Sequence, residues 1–400
     1  MSKKTFLPAD ESSRRLSGLK ARISSAGLDA VMLFNGMDQF YYTGTIQNGF
    51  LFVPAAGDPL YFVRRNIERA RTESPFTAIH PYSSFRDAKA VMDVNRAAAA
   101  KVGIDEGDIS VSLMKMLTKY FPQTVFADAA AVFKKQRAVK SAYEIAKMRS
   151  AGRVGHDVMA AVPSMLREGM TEWELGLMLF HKVAELGQSP SLRFSGGIAE
   201  FFLGNVCFGD SSLAPTSFDG PGGLAGLSPA HPYTGSNRKL KRGDLVYIDI
   251  GFPFEEYYVD KTRVFSFGAK PAPDVLKAHE LCLRVQEAIR ARLKPGEIPS
   301  QIYDDIYATI LADPIDAENF MGYGQNRVKF FGHGLGLVVN EYPVIAPKFD
   351  EPLEENMTLA LEPKKGLTGI GMVGIENTYR VTSAGGENLT EDDDSILVVE

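Results

Sequence analysis

The sequence predicts an α+β protein with two domains, a smaller α/β domain over residues 1–133 and a larger domain over residues 134–400. The smaller domain is predicted because helical and strand patterns alternate along residues 14–120. In the larger domain, a pair of helical patterns followed by a β-hairpin pattern occurs twice, which indicates two similar units facing each other. A chain of 400 residues with 45% hydrophobic content is long enough for two or three domains.

Each element follows from a local pattern. In the smaller domain, helices are predicted at 14–27, 87–100 and 110–120, with strands or apolar runs at 30–34, 49–54, 60–63 and 102–104. In the larger domain, Thr171 and Glu174 form a capping-box pattern, and Ser300 is a predicted N-cap. The helices predicted there are 141–161, 171–187, 274–293 and 300–311.

Two hairpin patterns carry acidic residues at symmetric positions. In LVYIDIGFPFEEYYVDKTRVFSF, residues 245–267, a turn centred near 254/255 places Asp249 and Asp260 opposite each other on one face. Near the C-terminus, Glu362 and Glu376 are equidistant from Gly369. Like charges that are opposed and buried require a cation or a proton.

A histidine completes this set of charged groups. His333 lies between the two hairpins in the glycine-rich sequence FGHGLG, where the backbone can approach other groups closely. Four carboxylates and a neutral imidazole suit two divalent cations, whose charges would cancel those of the acids. A set of solvated acids on exposed hairpins is the simpler alternative, but the apolar run around Asp249 predicts burial.

The order of these residues resembles the pita-bread metallopeptidases, which include methionine aminopeptidase, Xaa-Pro aminopeptidase and prolidase. The motifs IDIG, VDKTRVF, GHGLGL, LEP and GIENTYRVT carry the resemblance, together with the stretch Arg137–Ile145, and the N-terminal part resembles a creatinase-like domain. The resemblance implies a pita-bread catalytic domain and two divalent ions (Mn, Co, Zn or Fe). It also implies a peptide substrate with a free N-terminus, and a homodimer formed through the N-terminal domain, for which the apolar residues between Phe34 and Phe62 are further support. The implied metal ligands are Asp249, Asp260, His333, Glu362 and Glu376.

Three further positions bear on catalysis. The resemblance implies that Glu362 also handles the proton of the attacking water, and that His231 binds the substrate or the tetrahedral intermediate, although its spacing is off by one residue. Asn340 stands where these peptidases usually have a histidine; it can donate a hydrogen bond to an oxyanion but cannot carry a proton. Gly374 stands where prolidases and Xaa-Pro aminopeptidases usually have an arginine, for which Arg380 is a possible substitute. The two departures weaken the prediction of a proline-dipeptide substrate.

The sequence therefore predicts a cytoplasmic Xaa-Pro aminopeptidase or dipeptidase. A net charge of −5 without a basic run does not favour nucleic-acid binding, and no apolar stretch is long enough to predict a membrane span. One alternative is a non-catalytic pita-bread protein that binds a peptide or partner, and another is a creatinase-like, metal-free C–N hydrolase. Residues 194–235 are rich in Gly, Ser and Pro and are predicted to be a functional loop or a lid.

Overall fold

The computed structural model describes residues 7–95, 97, 99–194, 204–217 and 220–400. The chain divides into two compact units, Met1–Arg137 and Ala138–Glu400, whereas the sequence placed the boundary at residue 133. Within the described residues, none of the helices has both the length and the apolar character that a membrane span requires.

The first unit is a mixed sheet with helices. The helices are α1 Ala9–Ser25, α2 Gly36–Thr43, α3 Ile67–Glu73, α4 Phe85–Val94, α5 Val111–Tyr120 and α6 Ala130–Ala138, and the strands are β1 Ala30–Leu33, β2 Gly49–Pro54, β3 Leu60–Val63, β4 Ile79–Pro81, β5 Lys101–Ile104 and β6 Val125–Asp128. The strands follow the spatial order β4-β3-β2-β1-β5-β6, with β1 parallel to β5 and antiparallel to β2. Phe50, Phe52 and Phe62 are fully buried in the core of this unit, so they do not form the dimer surface that the sequence suggested.

The second unit contains two helix pairs, each followed along the chain by a long hairpin, as the internal duplication predicted. The helices are α7 Ala142–Met165, α8 Glu172–Glu185, α9 Pro273–Ala291, α10 Pro299–Thr309 and α11 Pro314–Ala317. The strands are β7 Gly204–Phe208, β8 Leu245–Phe254, β9 Tyr257–Phe267, β10 Gly322–Tyr323, β11 Asn326–Arg327, β12 Gly332–Gly334, β13 Glu341–Val344, β14 Thr358–Leu361, β15 Lys364–Leu367, β16 Gly371–Gly374, β17 Asn377–Arg380, β18 Glu387–Asn388 and β19 Leu397–Val399. The main sheets of this unit have the strand orders β19-β9-β8-β7 and β13-β12-β14-β17-β18.

Capping side chains begin several of these helices, including α2, α5, α7 and α8. Thr171 and Glu174 form the predicted capping box of α8, which satisfies two backbone N–H groups that have no partner within the helix. The predicted N-cap of α10 was wrong. That helix begins with Pro299 after Ile298, and the hydroxyl of Ser300 donates a hydrogen bond to Asp350 Oδ1 at 2.6 Å instead.

The register of the β8–β9 hairpin differs from the prediction. Asp249 is opposite Thr262, and Asp260 is opposite Gly251, because the connection is a tight turn at Glu255 and Glu256, whose φ angles are 44° and 77°. Asp249 and Asp260 are therefore diagonal neighbours on the same face of the hairpin and not directly opposed.

The second acidic hairpin has the predicted register. Leu361 pairs with Asn377 and Lys364 pairs with Gly374, so Glu362 and Glu376 lie at equivalent positions between these two ladders.

The stretch 194–235 is not a loop throughout. Residues 204–208 form β7, which pairs antiparallel with β8, and Gly209–Leu213 is a 3₁₀ helix. The strand was missed because its partner lies about 40 residues later in the chain, so no local period reveals the pairing. Residues 195–203 and 218–219 of this stretch lie outside the described residues, and a role of residues 194–235 as a functional loop or a lid stays a prediction.

Candidate metal centre

The two acidic hairpins meet edge to edge at Thr262 and Glu376. The backbones of these residues form a bridge, and Thr262 Oγ1 donates a hydrogen bond to Glu376 Oε2 at 2.9 Å. A second link is reciprocal: Asp260 N–H donates to Thr378 Oγ1 at 2.9 Å, and that hydroxyl donates to the Asp260 carbonyl at 3.1 Å. These contacts bring the four predicted carboxylates into one buried cluster.

Asp260, His333 and Glu376 form a compact group of possible ligands, whose donor atoms lie within 4.8 Å of one another. His333 is placed in this group by the pairing of β12 with β14, in which it is opposite Ala360. Its Nδ1 is 3.1 Å from the Gly334 carbonyl, which suits donation by Nδ1–H and leaves Nε2 directed at the acids, 3.3 Å from Glu362 Oε1.

Lys364 is a residue of this site that the sequence analysis missed. Its side chain is fully buried, and its ammonium donates to Asp249 Oδ2 at 2.8 Å, to Glu362 Oε2 at 3.0 Å and to Glu376 Oε2 at 3.0 Å. Asp249 Oδ2 also accepts a hydrogen bond from the Tyr247 hydroxyl at 2.7 Å. All five predicted ligands are therefore close together, but three of the four acids share a lysine.

The pKa values reflect a buried excess of negative charge. Burial, followed by the charge of Asp249, raises the pKa of Asp260 to about 7. Burial and then the charge of Asp260 raise the pKa of Glu376 well above its usual value. Burial alone would lower the pKa of His333, but the hydrogen bond and charge of Glu362 outweigh it and raise that pKa to about 9.

Lys364 stays charged in spite of its burial. Burial would lower its pKa, but the carboxylates of Asp249, Glu362 and Glu376 together raise it well above the usual value. Conversely, burial would raise the pKa of Asp249, and the nearby Lys364 lowers it. The lysine therefore neutralises part of the cluster, whereas burial and the neighbouring charges make the ionised forms of Asp260 and Glu376 unfavourable, a cost that a divalent cation would offset.

The residues present fit a divalent cation on one side of the cluster. Glu376 Oε1 is buried and has no hydrogen-bond partner among the described residues, and His333 Nε2 is 4.0 Å away from it. An unsatisfied carboxylate oxygen next to a second acid and an imidazole is a donor set that Mn, Fe, Co or Zn can use. The part of the cluster beside Asp249 is already filled by the lysine ammonium.

The other predicted catalytic residues lie in loops of the second unit. His231 packs edge-on against Trp173, with ring centroids 5.7 Å apart, and against Tyr233 at 6.0 Å. Asn340 is exposed at the end of the turn that precedes β13. Its neighbour Val339 donates a backbone hydrogen bond to Arg193 O at 2.8 Å, which ties this turn to the chain just before residue 195.

Arg380 does not substitute for an arginine at position 374. Its guanidinium donates to Asn356 Oδ1 at 2.7 Å and to Glu387 Oε2 at 3.0 Å. The basic group next to Gly374 is instead Lys364, its cross-strand partner.

Comparison with known proteins agrees with this geometry. Residues 146–383 match the model of metallopeptidase family M24, and residues 15–139 match the creatinase/prolidase N-terminal domain. An uncharacterized peptidase of Staphylococcus aureus (strain USA300) is 25% identical over 382 residues, which cover 94% of this chain and 98% of that protein.

Solved structures of similar proteins cover almost the whole chain. An X-Pro aminopeptidase from Thermotoga maritima has a TM-score of 0.76 at 24% identity, covering 95% of this chain and 100% of its own. A dipeptidase from Mycobacterium ulcerans has a TM-score of 0.76 at 26% identity, covering 98% of this chain and 99% of its own. These likenesses confirm the predicted α+β fold with a creatinase-like N-terminal domain. Because the family model spans more than half of the sequence, the chain belongs to metallopeptidase family M24.

Proposed function

We propose that this protein is a metal-dependent aminopeptidase or dipeptidase of Xaa-Pro type, which removes the N-terminal residue of a peptide with a free α-amino group. The observation that carries the proposal is the buried group of Asp260, His333 and Glu376, whose unsatisfied Glu376 Oε1 lies among other ligand atoms. The Xaa-Pro specificity is supported by the names of the similar solved structures, among them an Xaa-Pro dipeptidase from Bacillus anthracis at 21% identity.

The residues of the site have separate roles in this proposal. When bound, a divalent cation supplies Lewis acidity, which polarises a peptide carbonyl and lowers the pKa of water. Asp260, His333 and Glu376 would hold it. Glu362, whose Oε1 is 3.3 Å from His333 Nε2, would accept the proton of the attacking water and return it to the leaving amine. His231 and Asn340 would donate hydrogen bonds to the developing oxyanion.

The direct test is a substrate screen with purified protein. Metal-stripped protein would be supplied with Mn²⁺, Co²⁺, Zn²⁺ or Fe²⁺ in turn and offered dipeptides and tripeptides with and without proline at the second position. We expect release of the N-terminal residue from free peptides, and no release from the same peptides after N-acetylation. Activity on acetylated peptides would contradict recognition of the α-amino group.

Asn340→His is expected to raise turnover of Xaa-Pro peptides at least tenfold. An asparagine supplies one neutral donor, whereas a protonated histidine also supplies charge to an oxyanion, and loss of such a contact typically costs about a hundredfold in rate. Metal content, measured by elemental analysis, should not change, because Asn340 is exposed and lies outside the carboxylate cluster. A lower rate in Asn340→His would identify Asn340 as a specificity residue for another substrate.

A non-catalytic binding protein is a second candidate, and one observation favours it. Lys364 satisfies three carboxylates that would otherwise need a cation, so part of the site is stable without metal. Wild-type protein that retains no metal and cleaves none of the peptides would support this alternative over the peptidase.

We also propose a cytoplasmic location, which rests on the sequence composition, and a homodimer, for which the resemblance to dimeric pita-bread peptidases is the support. Light scattering at micromolar concentration is expected to give about twice the chain mass of 43.8 kDa. A mass equal to that of one chain would contradict it.

A further inference from the structure

The ammonium of Lys364 occupies the part of the carboxylate cluster that contains Asp249. Its three acceptors, Asp249 Oδ2, Glu362 Oε2 and Glu376 Oε2, lie 2.8, 3.0 and 3.0 Å from Nζ. Carboxylate oxygens from several residues are also what a hard divalent cation requires. An ion next to Asp249 would therefore compete with the ammonium for the same three oxygen atoms.

We propose that each chain binds one divalent cation, at Asp260, His333 and Glu376, and that the Lys364 ammonium takes the place of a second cation beside Asp249. The inference rests on the proposed metal-dependent function and departs from the two ions that the sequence resemblance implied.

The position of the lysine charge favours a single ion. Asp249, Asp260, Glu362 and Glu376 contribute four negative charges when ionised, and Lys364 contributes one positive charge. One divalent cation then leaves a net charge of −1 and two leave +1, so the total charge does not distinguish them. A second ion beside Asp249 would, however, lie close to the ammonium, and repulsion in such a buried place is screened only weakly.

The residue opposite Lys364 leaves no side chain beside it. Lys364 and Gly374 are opposite each other in the β15–β16 ladder. A Cβ atom on Gly374 would lie 2.5 Å from the Pro363 carbonyl oxygen and 2.7 Å from both Lys364 Cα and Lys364 Cγ, so the backbone of the hairpin and the lysine side chain both exclude a side chain at position 374. The lysine itself has no exposed surface, which leaves it no solvated alternative without a change of the hairpin.

The number of bound ions tests this inference without measuring activity. Metal-stripped wild type, Lys364→Ala and Lys365→Ala would be equilibrated with excess Mn²⁺ and freed of unbound ions by gel filtration. Manganese per chain would then be measured by elemental analysis, and the ions would be examined by electron paramagnetic resonance. Lys365→Ala is the matched control, because that neighbouring ammonium donates to the carbonyls of Ile315 and Asp316, both at 2.9 Å, and not to the cluster.

We expect about one Mn²⁺ per chain in wild type and Lys365→Ala, with the spectrum of isolated ions, and about two in Lys364→Ala, with the spectrum of an exchange-coupled pair. Two ions in the wild type would overturn the inference, and they would do so even if Lys364→Ala did not fold. A folded Lys364→Ala that still retains one ion would also overturn it. Two ions together with peptidase activity would leave the proposed function intact, whereas a wild type that retains neither Mn²⁺ nor, in the same assay, Co²⁺, Zn²⁺ or Fe²⁺ would refute both.

Discussion

Asp260→Asn is expected to lose bound metal and to reduce peptide hydrolysis by about a thousandfold or more, since Lewis-acid stabilisation of the transition state is worth several kcal/mol. The amide keeps the shape of the side chain but removes the charge of one of three clustered ligands. Metal content would be measured by elemental analysis. The rate of hydrolysis would be measured on the peptide that the wild type cleaves fastest in the screen. Asp244→Asn, which alters an acid bonded to Arg238 at 2.9 Å outside the cluster, is the control and should keep its metal.

Stability of the metal-free protein separates a ligand from a structural residue. Without metal, the Asp260 carboxylate lies buried next to other acids, a position that burial and the charge of Asp249 make unfavourable for its ionised form. Metal-free Asp260→Asn should therefore resist urea at least as well as the metal-free wild type. A clear loss of stability with unchanged metal content would show that Asp260 holds the hairpins together and does not bind the ion.

The order of the four acidic residues and the histidine was sufficient to predict that these five side chains meet. The prediction that Asp249 and Asp260 share a face of the β8–β9 hairpin was also correct, although the predicted register was not. Both can be true because diagonal positions share a face with directly opposed ones. The error came from the turn. Glu255 and Glu256 both adopt positive φ, which non-glycine residues rarely do, so the sequence Phe254–Tyr257 gave no signal for a two-residue turn.

The neighbours of the ligands are predictable from the alternation of side chains along a strand. Residues two apart on a strand project from the same face, so each acid of a hairpin brings a second side chain with it. Tyr247 accompanies Asp249, Thr262 accompanies Asp260, and Lys364 follows Glu362 by two residues. Each of these three side chains bonds a carboxylate of the cluster. The sequence LEPKKG thus already contained the signal for a cation inside the site.

The loop residues were less predictable because their partners are distant in sequence. The position of His231 depends on Trp173, almost 60 residues earlier. The position of Asn340 depends on a turn in which the preceding residue, Val339, donates a backbone hydrogen bond to Arg193. No periodicity connects such positions.

Glu172→Ala is expected to destabilise the second unit by roughly 3 kcal/mol, since buried N–H groups that lose a charged acceptor are costly. Glu172 is fully buried at the start of α8, where its Oε2 accepts from Ser236 N at 2.8 Å and Ser236 Oγ at 2.5 Å. Its Oε1 accepts from Phe208 N at 2.7 Å and from the Ser211 hydroxyl. Without the carboxylate, Ser236 N–H loses its acceptor, and Phe208 N–H keeps only Ser211 Oγ at 3.2 Å. The free energy of unfolding would be measured in urea.

Two further variants separate burial from capping. Glu174→Ala removes the exposed capping-box partner on the same turn and should cost only about 1 kcal/mol. Glu172→Gln should remain clearly destabilised, because its amide nitrogen must face one of the two backbone N–H groups, so that donor meets donor. Since Glu172 does not contact the carboxylate cluster, folded Glu172→Ala should still bind metal at low temperature. Equal stabilities for Glu172→Ala and Glu174→Ala would mean that the contacts of Glu172 with β7 and with Ser236 contribute no more than an ordinary helix cap.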